Sequence, residues 1–165
     1  MELLIVRHAI ACERNAKRWP DDAERPLSPR GVMRARQAAA GVRRLVPRPL
    51  RVLSSPFLRA RQTASILSQF AAWPRAADCP QLMPDAPPAA LFSVLARAHE
   101  SRIALIGHEP DLGRLLASCL AGDTGSAAFE LRKMGIALLG FTGPARPGRG
   151  ELLWLLPPKV LRAAR

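Results

Sequence analysis

The chain is poor in the residues that build disulfide frameworks, zinc sites and base-stacking surfaces. Its three cysteines, Cys12, Cys79 and Cys119, are odd in number and far apart, which argues against disulfides and against a zinc site. Tyrosine is absent and aromatic residues make up only 5% of the sequence, which disfavours stacking on nucleic-acid bases. No apolar run approaches the roughly 18 residues of a membrane span, and Arg7 interrupts the apolar start, unlike a secretory signal. We therefore expect a cytoplasmic protein that binds neither membranes nor nucleic acid.

Acidic residues are also scarce. Thirteen Asp and Glu stand against 25 Lys and Arg, for a formal net charge of +12 at pH 7. All but three of these cations are arginines, and they occur in nearly every segment instead of one block. We interpret most of them as a solvated surface. The alternative is a positive field that attracts anions, either phosphate-bearing substrates or nucleic acid.

The first half of the chain alternates predicted strands and helices. The run LLIVRH is apolar on both faces, which is typical of a strand buried in a parallel sheet. A helix follows from Pro29, with Ser28 as its N-cap, and ends before Pro47. LRVLSS is a second strand, and SPFLRARQTASILSQF is a second helix with Ser55 as cap and Pro56 in its first position.

The second half continues this alternation and then changes character. ADCPQLM is predicted as an edge strand because of its proline, and residues 89–99 are predicted as a helix. RIALIGH is a further strand, followed by a helix over EPDLGRLLASCLAG that ends at Gly122. GIALLGF and GELLWLL flank a Pro/Gly-rich loop as a hairpin. The pattern predicts one domain over residues 1–165: a three-layer α/β/α sandwich with a mainly parallel sheet and an antiparallel edge.

Three predicted strand-to-helix junctions carry polar side chains where apolar or turn residues would suffice. These junctions hold Arg7 and His8, then Ser54 to Arg61, then His108 and Glu109. Two of the chain's three histidines thus follow strands at equivalent places, whereas His99 is expected at the surface near a helix end. Ligands of parallel α/β sheets bind beyond the carboxyl ends of the strands, so we expect these side chains to form one site.

Arg59 lies at the start of a predicted helix, where the helix dipole favours anions over cations. A cation there is tolerated if a bound anion shares the site. Arg61 lies about 200° further round the helix and is expected to be solvated.

The blocks RHA, RPLSPRG, SSPFLRARQTA and IGHEPDLG, in this order, resemble the histidine phosphatase superfamily, which includes the phosphoglycerate mutases. Within it the chain is most similar to the small SixA-type phosphohistidine phosphatases, along essentially its whole length. The resemblance implies that His8 is the catalytic nucleophile and that Arg7, Arg59 and His108 are catalytic residues that bind the phosphoryl group. It implies a phosphatase with a phosphoglycerate mutase-like fold.

The chemistry of these residue types agrees with the resemblance. A neutral imidazole can attack phosphorus and hold the phosphoryl group, which water then releases as inorganic phosphate. Guanidinium groups match phosphate oxygens with planar pairs of donors. No cluster of carboxylates is present in the sequence to hold a metal ion, so we expect a reaction without metal or other cofactor.

The sequence departs from the wider family at two places. Ala9 replaces the glycine of the common RHG motif, and alanine accepts a positive φ less readily. Many relatives place a glutamate general acid after a middle strand, whereas the corresponding QLMPDAPPAAL offers only Asp85, which is therefore the candidate general acid. Weak acid assistance suits a phosphoramidate, whose leaving nitrogen is protonated by solvent, better than an alkyl phosphate ester.

We therefore expect a phosphatase whose substrate is a protein that carries phosphohistidine. Asp22 and Arg25 lie on a loop that forms one wall of the pocket, and Arg25 is a candidate for binding the substrate protein. Two alternatives remain open. One is a phosphatase of the same fold that acts on small phosphate esters, and the other is a non-catalytic basic module that binds nucleic acid.

Overall fold

A six-stranded sheet forms the centre of the protein. The computed structural model describes residues 1–122 and 129–165, and within them the sheet has the order β3-β2-β4-β1-β5-β6. The strands are β1 (Glu2–Arg7), β2 (Arg51–Ser54), β3 (Ala77–Asp78), β4 (Arg102–Gly107), β5 (Ile136–Gly140) and β6 (Glu151–Leu156). The pairs among β1 to β4 are parallel, whereas β5 is antiparallel to both β1 and β6. The predicted mainly parallel sheet with an antiparallel edge is confirmed.

Helices cover both faces of this sheet. They are α1 (Pro29–Leu45), α2 (Leu58–Ala71), α3 (Pro88–Leu95), α4 (Asp111–Ala121) and α5 (Pro158–Ala163), with short 3₁₀ helices at Asp22–Glu24 and Pro80–Leu82. Helix α1 starts as predicted, since Pro29 is its first residue and the Ser28 hydroxyl accepts the Gly31 N–H at 3.0 Å. Of these helices, none has the length and apolar character needed to cross a membrane.

Successive side chains of β1 point alternately into two hydrophobic cores, one on each face of the sheet. Leu4 and Val6 pack on one face with α1, α2 and α5, whereas Leu3 and Ile5 pack on the other with α3 and α4. All four side chains are fully buried. A strand covered on both faces has no polar side to alternate with, which is why LLIV is continuously apolar.

Some predicted elements differ from those observed. Ser55 is not the cap of α2, which begins at Leu58 after Phe57, so the predicted cap is wrong. The Ser55 hydroxyl accepts the Phe57 N–H at 3.3 Å and lies 2.9 Å from Nε2 of His108, a contact between distant segments. The predicted edge strand is only two residues long because Pro80 opens a 3₁₀ helix. Helix α3 ends at Leu95, four residues before the predicted end.

The carboxyl ends of the parallel strands meet at one edge of the sheet. Arg7 at the end of β1 is in register with Gly107 at the end of β4, and Ser54 of β2 is in register with Ile106. Because β5 is antiparallel, the segment before Ile136 enters at this same edge, and β6 ends there. The predicted site and the start of α5 therefore lie at the same edge of the sheet, the one formed by the carboxyl ends of the parallel strands, which we call the active-site edge.

Candidate active site

His8 follows the last residue of β1 and is nearly enclosed, with 8% of its surface exposed. Its backbone N–H donates to the Gly107 carbonyl at 3.0 Å, which ties the end of β1 to the end of β4. Its ring Nδ1 lies 2.6 Å from the Ala9 carbonyl oxygen. A carbonyl can only accept, so Nδ1 carries the proton and Nε2 of the neutral ring keeps its lone pair.

His108 stands beside His8, with their ring centroids 5.0 Å apart. It is 3% exposed, and its Nε2 bonds to the Ser55 hydroxyl, which follows β2. Phe57 packs edge-on against the His108 ring at 5.3 Å. Residues that follow three different strands thus place this imidazole next to that of His8.

Arg59 projects from the first turn of α2 and is 2% exposed. Its Nη1 donates to the Asp22 carbonyl at 2.8 Å, and its Nη2 lies 3.1 Å from the Asp22 carboxylate. The guanidinium also lies 4.9 Å from the centre of the Phe57 ring. The loop around Asp22, which was predicted to form one wall of the pocket, therefore holds Arg59 in place.

Arg7 approaches from the other side. Its Nη1 donates to the Leu131 carbonyl at 2.7 Å and pairs with the exposed Glu130 carboxylate at 3.3 Å. Leu131 is held in turn by Glu109, whose two carboxylate oxygens accept the N–H groups of Leu131 at 2.8 Å and Gly113 at 3.1 Å. Glu109 thus positions Arg7 through the backbone of the segment before β5.

Unpaired polar atoms concentrate at this site. In residues 1–122 and 129–165, four buried side-chain nitrogen or oxygen atoms have no hydrogen-bond partner: Nε of Arg7, Nε of Arg59, Nδ1 of His108 and Nε1 of Trp73. Three of the four belong to the residues around His8. A buried polar atom without a partner costs about 1–3 kcal/mol. An anion with several oxygens is the ligand that would satisfy such a group.

Burial keeps both histidines neutral. The pKa of His8 falls to about 3, mainly because burial disfavours the charged ring and also because Arg59 and Arg7 are nearby; the bond to Ala9 opposes this. The pKa of His108 falls to about 2, again mainly through burial, with His8 and Arg59 adding to it. His8 is therefore a free base at neutral pH, as a nucleophile must be.

We expect acid to destabilise the protein through these two rings. Unfolded histidines bind protons near pH 6.5, but these folded ones do not until about pH 3 and 2. Below pH 6.5 the unfolded state binds more protons, so the free energy of unfolding decreases on acidification by up to about 1.4 kcal/mol per pH unit for each ring. Urea unfolding between pH 6.5 and 4.5 measures this slope.

A pair of variants isolates the contribution of one ring. His8→Asn is expected to remove about half of the histidine-dependent slope, whereas His99→Asn, at an exposed position, retains the wild-type slope. An unchanged slope in His8→Asn would contradict the idea that the folded protein holds this ring neutral.

Thr63 is a supporting residue that the sequence did not reveal. Its buried hydroxyl accepts the Ala9 N–H at 3.0 Å and donates to the Arg59 carbonyl at 2.7 Å. This bridge fixes the loop after His8 against α2. The sequence offered only a weak indication of this role, namely that Thr63 lies one helical turn after Arg59. Ala9 itself needs no positive φ, so alanine in place of the family glycine carries no backbone strain here.

Arg25 supports the loop around Asp22. Its Nε donates to the Asp22 carboxylate and its Nη1 to the Cys12 carbonyl, both at 2.7 Å. Only 11% of the side chain is exposed, so most of it is committed to supporting Asp22. Its contact with substrate stays a prediction.

Asp85 lies on the loop beside His108. Residues 81–83 and 86 of this loop line a small space next to the His108 ring, but Asp85 itself is exposed and has a φ of +66°. Its backbone N–H donates to the Asp111 carboxylate at 3.0 Å. Its role as general acid stays a prediction.

Two further expectations concern groups at the margin of the site. Arg61 is exposed and bonds to the Asp78 carboxylate, in agreement with its predicted place on the outer face of the helix.

The three cysteines are free thiols, as predicted. Within the described ranges, no three His, Cys, Asp or Glu side chains are grouped as they would be around a metal ion.

Comparison with known proteins identifies the family. A sequence profile of the histidine phosphatase superfamily (branch 1) matches residues 3–79. An uncharacterized protein of Picosynechococcus sp. (strain ATCC 27264 / PCC 7002 / PR-6) is 35% identical over 167 residues, which cover 98% of this chain and 99% of that protein. The chain belongs to the histidine phosphatase superfamily. It is therefore a phosphatase, and the alternative of a non-catalytic module is set aside.

Two solved structures have the same fold as this chain. The protein histidine phosphatase SixA, complexed with tungstate, has a TM-score of 0.80 and 27% identity, and the match covers 98% of this chain and 99% of SixA. A phosphoserine phosphatase from Entamoeba histolytica, complexed with phosphoserine, has a TM-score of 0.67 and 15% identity, covering 97% and 98%. The superfamily and the SixA-type branch predicted from the motifs are confirmed.

Proposed function

We propose that this histidine phosphatase removes phosphate from a histidine of a protein, through a covalent phosphohistidine intermediate on His8. The observation that carries the choice of substrate is the state of the carboxylates at the site. Asp22 is bound to Arg59 and Arg25, and both oxygens of Glu109 accept backbone N–H groups. Neither is free to protonate a leaving group.

The atom that leaves the phosphorus determines how much the reaction needs a general acid. An alkyl ester must lose an alkoxide, which requires a proton as the bond breaks, and a positioned acid contributes about 10²- to 10⁴-fold. The leaving nitrogen of phosphohistidine is basic enough to take its proton from solvent. Burial raises the pKa of Glu109, but its bonds to Leu131 and Gly113 occupy both oxygens. The site therefore suits a phosphoramidate.

Binding of the phosphoryl group uses the unpaired nitrogens. Nε of Arg7 and Nε of Arg59 donate to phosphoryl oxygens, and Nδ1 of His108 donates to another. The negative charge of the phosphoryl group raises the pKa of His108 and favours its cationic form, in which Nε2–H donates to Ser55. Donors fixed in a water-poor site stabilise the charge that moves onto the transferring group.

The reaction then proceeds in two displacements. Nε2 of His8 attacks phosphorus with its lone pair while the bond from phosphorus to the substrate nitrogen breaks, and that nitrogen takes a proton from solvent. The hydrogen bond from Nδ1 to the Ala9 carbonyl holds the ring in the required tautomer. Water next attacks the phosphorus of the intermediate, His8 leaves as the neutral ring, and inorganic phosphate departs.

A phosphatase for small phosphate esters is the second candidate. It is favoured by the place of Asp85, whose loop lines the space beside His108 and whose carboxylate is exposed. A loop shift on substrate binding would bring an acid to the leaving oxygen. The phosphoserine phosphatase of Entamoeba histolytica, bound to phosphoserine, has this same fold.

A substrate panel separates the two candidates. Wild type and Asp85→Asn are assayed, with a metal chelator present, on a phosphohistidine peptide, phosphoserine, a sugar phosphate and an aryl phosphate. We expect kcat/KM to be at least about 100-fold higher for phosphohistidine than for the alkyl esters, because no acid assists their departure. Asp85→Asn is expected to retain phosphohistidine hydrolysis to within about twofold.

Two results would overturn this assignment. Alkyl esters as the best substrates would establish the second candidate, and a loss of about 100-fold in Asp85→Asn on phosphohistidine would make Asp85 the acid. Activity that requires an added metal ion would contradict the expected reaction without a cofactor.

A further inference from the structure

A surface groove of about 1000 Å³ has Arg7 among the residues that line it. We call it the basic groove, because six cationic side chains line it: Arg7, Arg34, Arg132, Lys133, Lys159 and Arg162. Among the described residues that line it, Glu130 is the single acid, and it pairs with Arg7 at 3.3 Å. The groove thus shares Arg7 with the phosphoryl site and is lined mainly by cations.

Five of the six cations of the basic groove have no ion-pair partner within the described part of the chain. Some cations elsewhere form ion pairs, such as Arg61 with Asp78 and Arg102 with Glu2. Arg34, Arg132, Lys133, Lys159 and Arg162 form no ion pair with any described residue. A concave surface lined by one sign of charge concentrates ligands of the opposite sign.

The topology of the sheet brings these cations to the active-site edge. Arg34 lies near the start of α1, and Arg132 and Lys133 precede β5, which begins at this edge. Lys159 and Arg162 belong to α5, which follows the end of β6 at the same edge. Three segments distant in sequence therefore contribute charge beside Arg7. The positive field also reaches His8, because the charge of Lys133 contributes to lowering the pKa of that ring.

We propose that the basic groove binds acidic side chains of the polypeptide that carries the phosphohistidine. This rests on the proposed function, since it names the surface chemistry of that substrate. His8 is 8% exposed, so a phosphohistidine that reaches it brings its own polypeptide onto the surrounding surface. Arg7 connects the two regions, so acidic residues flanking the phosphohistidine meet the groove when the phosphoryl group meets His8.

The form of the groove favours a polypeptide over a small second anion. Arg132, Lys133 and Lys159 are exposed, and the cations that line the groove come from separate elements. Such solvated cations attract several carboxylates over a distance, but they do not form the fixed cluster that one small anion needs. Its volume lies at the upper end of the range for sites of small molecules, about 300–1,000 Å³.

Two peptides test the proposal. Each carries a central phosphohistidine, flanked by four glutamates in one and by four glutamines in the other. We expect kcat/KM for the glutamate peptide to exceed that for the glutamine peptide by about tenfold at low salt, and the ratio to approach one at about 0.5 M salt. The ratio cancels effects on the chemical steps, which both peptides share.

Charge reversal locates the effect. Lys159→Glu/Arg162→Glu is expected to lower the ratio to about one or below, and Lys159→Gln/Arg162→Gln to lower it in part. The matched control is Arg146→Glu/Arg149→Glu, which makes the same change in net charge in the exposed loop between β5 and β6, at the opposite edge of the sheet. It retains the wild-type ratio. Circular dichroism checks that each variant is folded.

Binding of the unphosphorylated peptides, followed by fluorescence anisotropy, tests the groove independently of turnover. Preferential binding of the glutamate peptide, lost in Lys159→Glu/Arg162→Glu, supports the proposal. Equal kcat/KM for the two peptides, or an equal loss in the control, would overturn it, as would tighter binding of a single-stranded oligonucleotide. Failure of the proposed function looks different: neither phosphohistidine peptide is hydrolysed, whatever its flanking residues.

Discussion

His8→Ala is expected to reduce hydrolysis of a phosphohistidine peptide to less than about one part in 10⁴ of the wild-type rate, because nothing replaces a lost nucleophile. The bond from Nδ1 to the Ala9 carbonyl leaves Nε2 as the free base, and burial holds the pKa of His8 at about 3. The variant should also lose the phosphate label on the enzyme, which is acid-labile and alkali-stable in wild type. Rapid-quench labelling with a phosphorylated substrate measures both.

His99→Ala is the control for this experiment. It also removes one imidazole, but from an exposed position after α3, and we expect it to retain wild-type activity and labelling. Substantial activity in His8→Ala, or a label that survives there, would show that another residue accepts the phosphoryl group. His8→Asn, which keeps more of the side-chain volume, separates loss of the nucleophile from any effect of the cavity that alanine leaves.

Arg59→Ala should lower kcat/KM by about 100- to 1,000-fold, the usual cost of removing one donor that stabilises transition-state charge. It should also weaken inhibition by vanadate, which imitates the transferring phosphoryl group. Asp22 holds Nη1 and Nη2 of Arg59, so Nε is presented to the ligand at a fixed angle. Steady-state kinetics with vanadate as inhibitor measure both effects.

Two further variants show whether the effect of Arg59→Ala is specific to this arginine and to its planar donors. Arg59→Lys keeps the positive charge but not the planar set of donors, and we expect it to recover little of the activity. Arg61→Ala removes an exposed arginine of the same helix, paired with Asp78, and should remain within about twofold of wild type. If Arg59→Lys were fully active, charge alone would be sufficient and the geometry set by Asp22 would be irrelevant.

The positions of the candidate site residues were readable from the sequence because they follow local rules. Apolar runs that end on polar residues mark strand ends, and α/β sheets bring parallel strand ends to one edge. Arg7, His8 and His108 were found in this way. The start of α1 was equally readable, since Ser28, Pro29 and Gly31 interact within three residues of one another.

Other features depend on contacts that no local pattern records. Ser55 looked like a helix cap, but its hydroxyl bonds to His108, 53 residues away. The partner of Arg59 is Asp22, 37 residues earlier, and Arg7 is bound by Leu131, 124 residues later. Arg25 bonds to the carbonyl of Cys12, 13 residues earlier, as well as to Asp22, and no local pattern indicates the first of these bonds.

By itself, the sequence determined the α/β alternation, the strand ends that carry the candidate site residues, and the family, because these reside in short-range patterns and in ordered motifs. The tertiary structure alone decided which donors remain unpaired around His8 and which cations of an evenly spread arginine population become neighbours. The antiparallel course of β5 and β6 returns the chain twice to the active-site edge, and only that path places Lys133 and Lys159 beside Arg7. The sequence lists the charged residues, but only the fold determines which of them become neighbours.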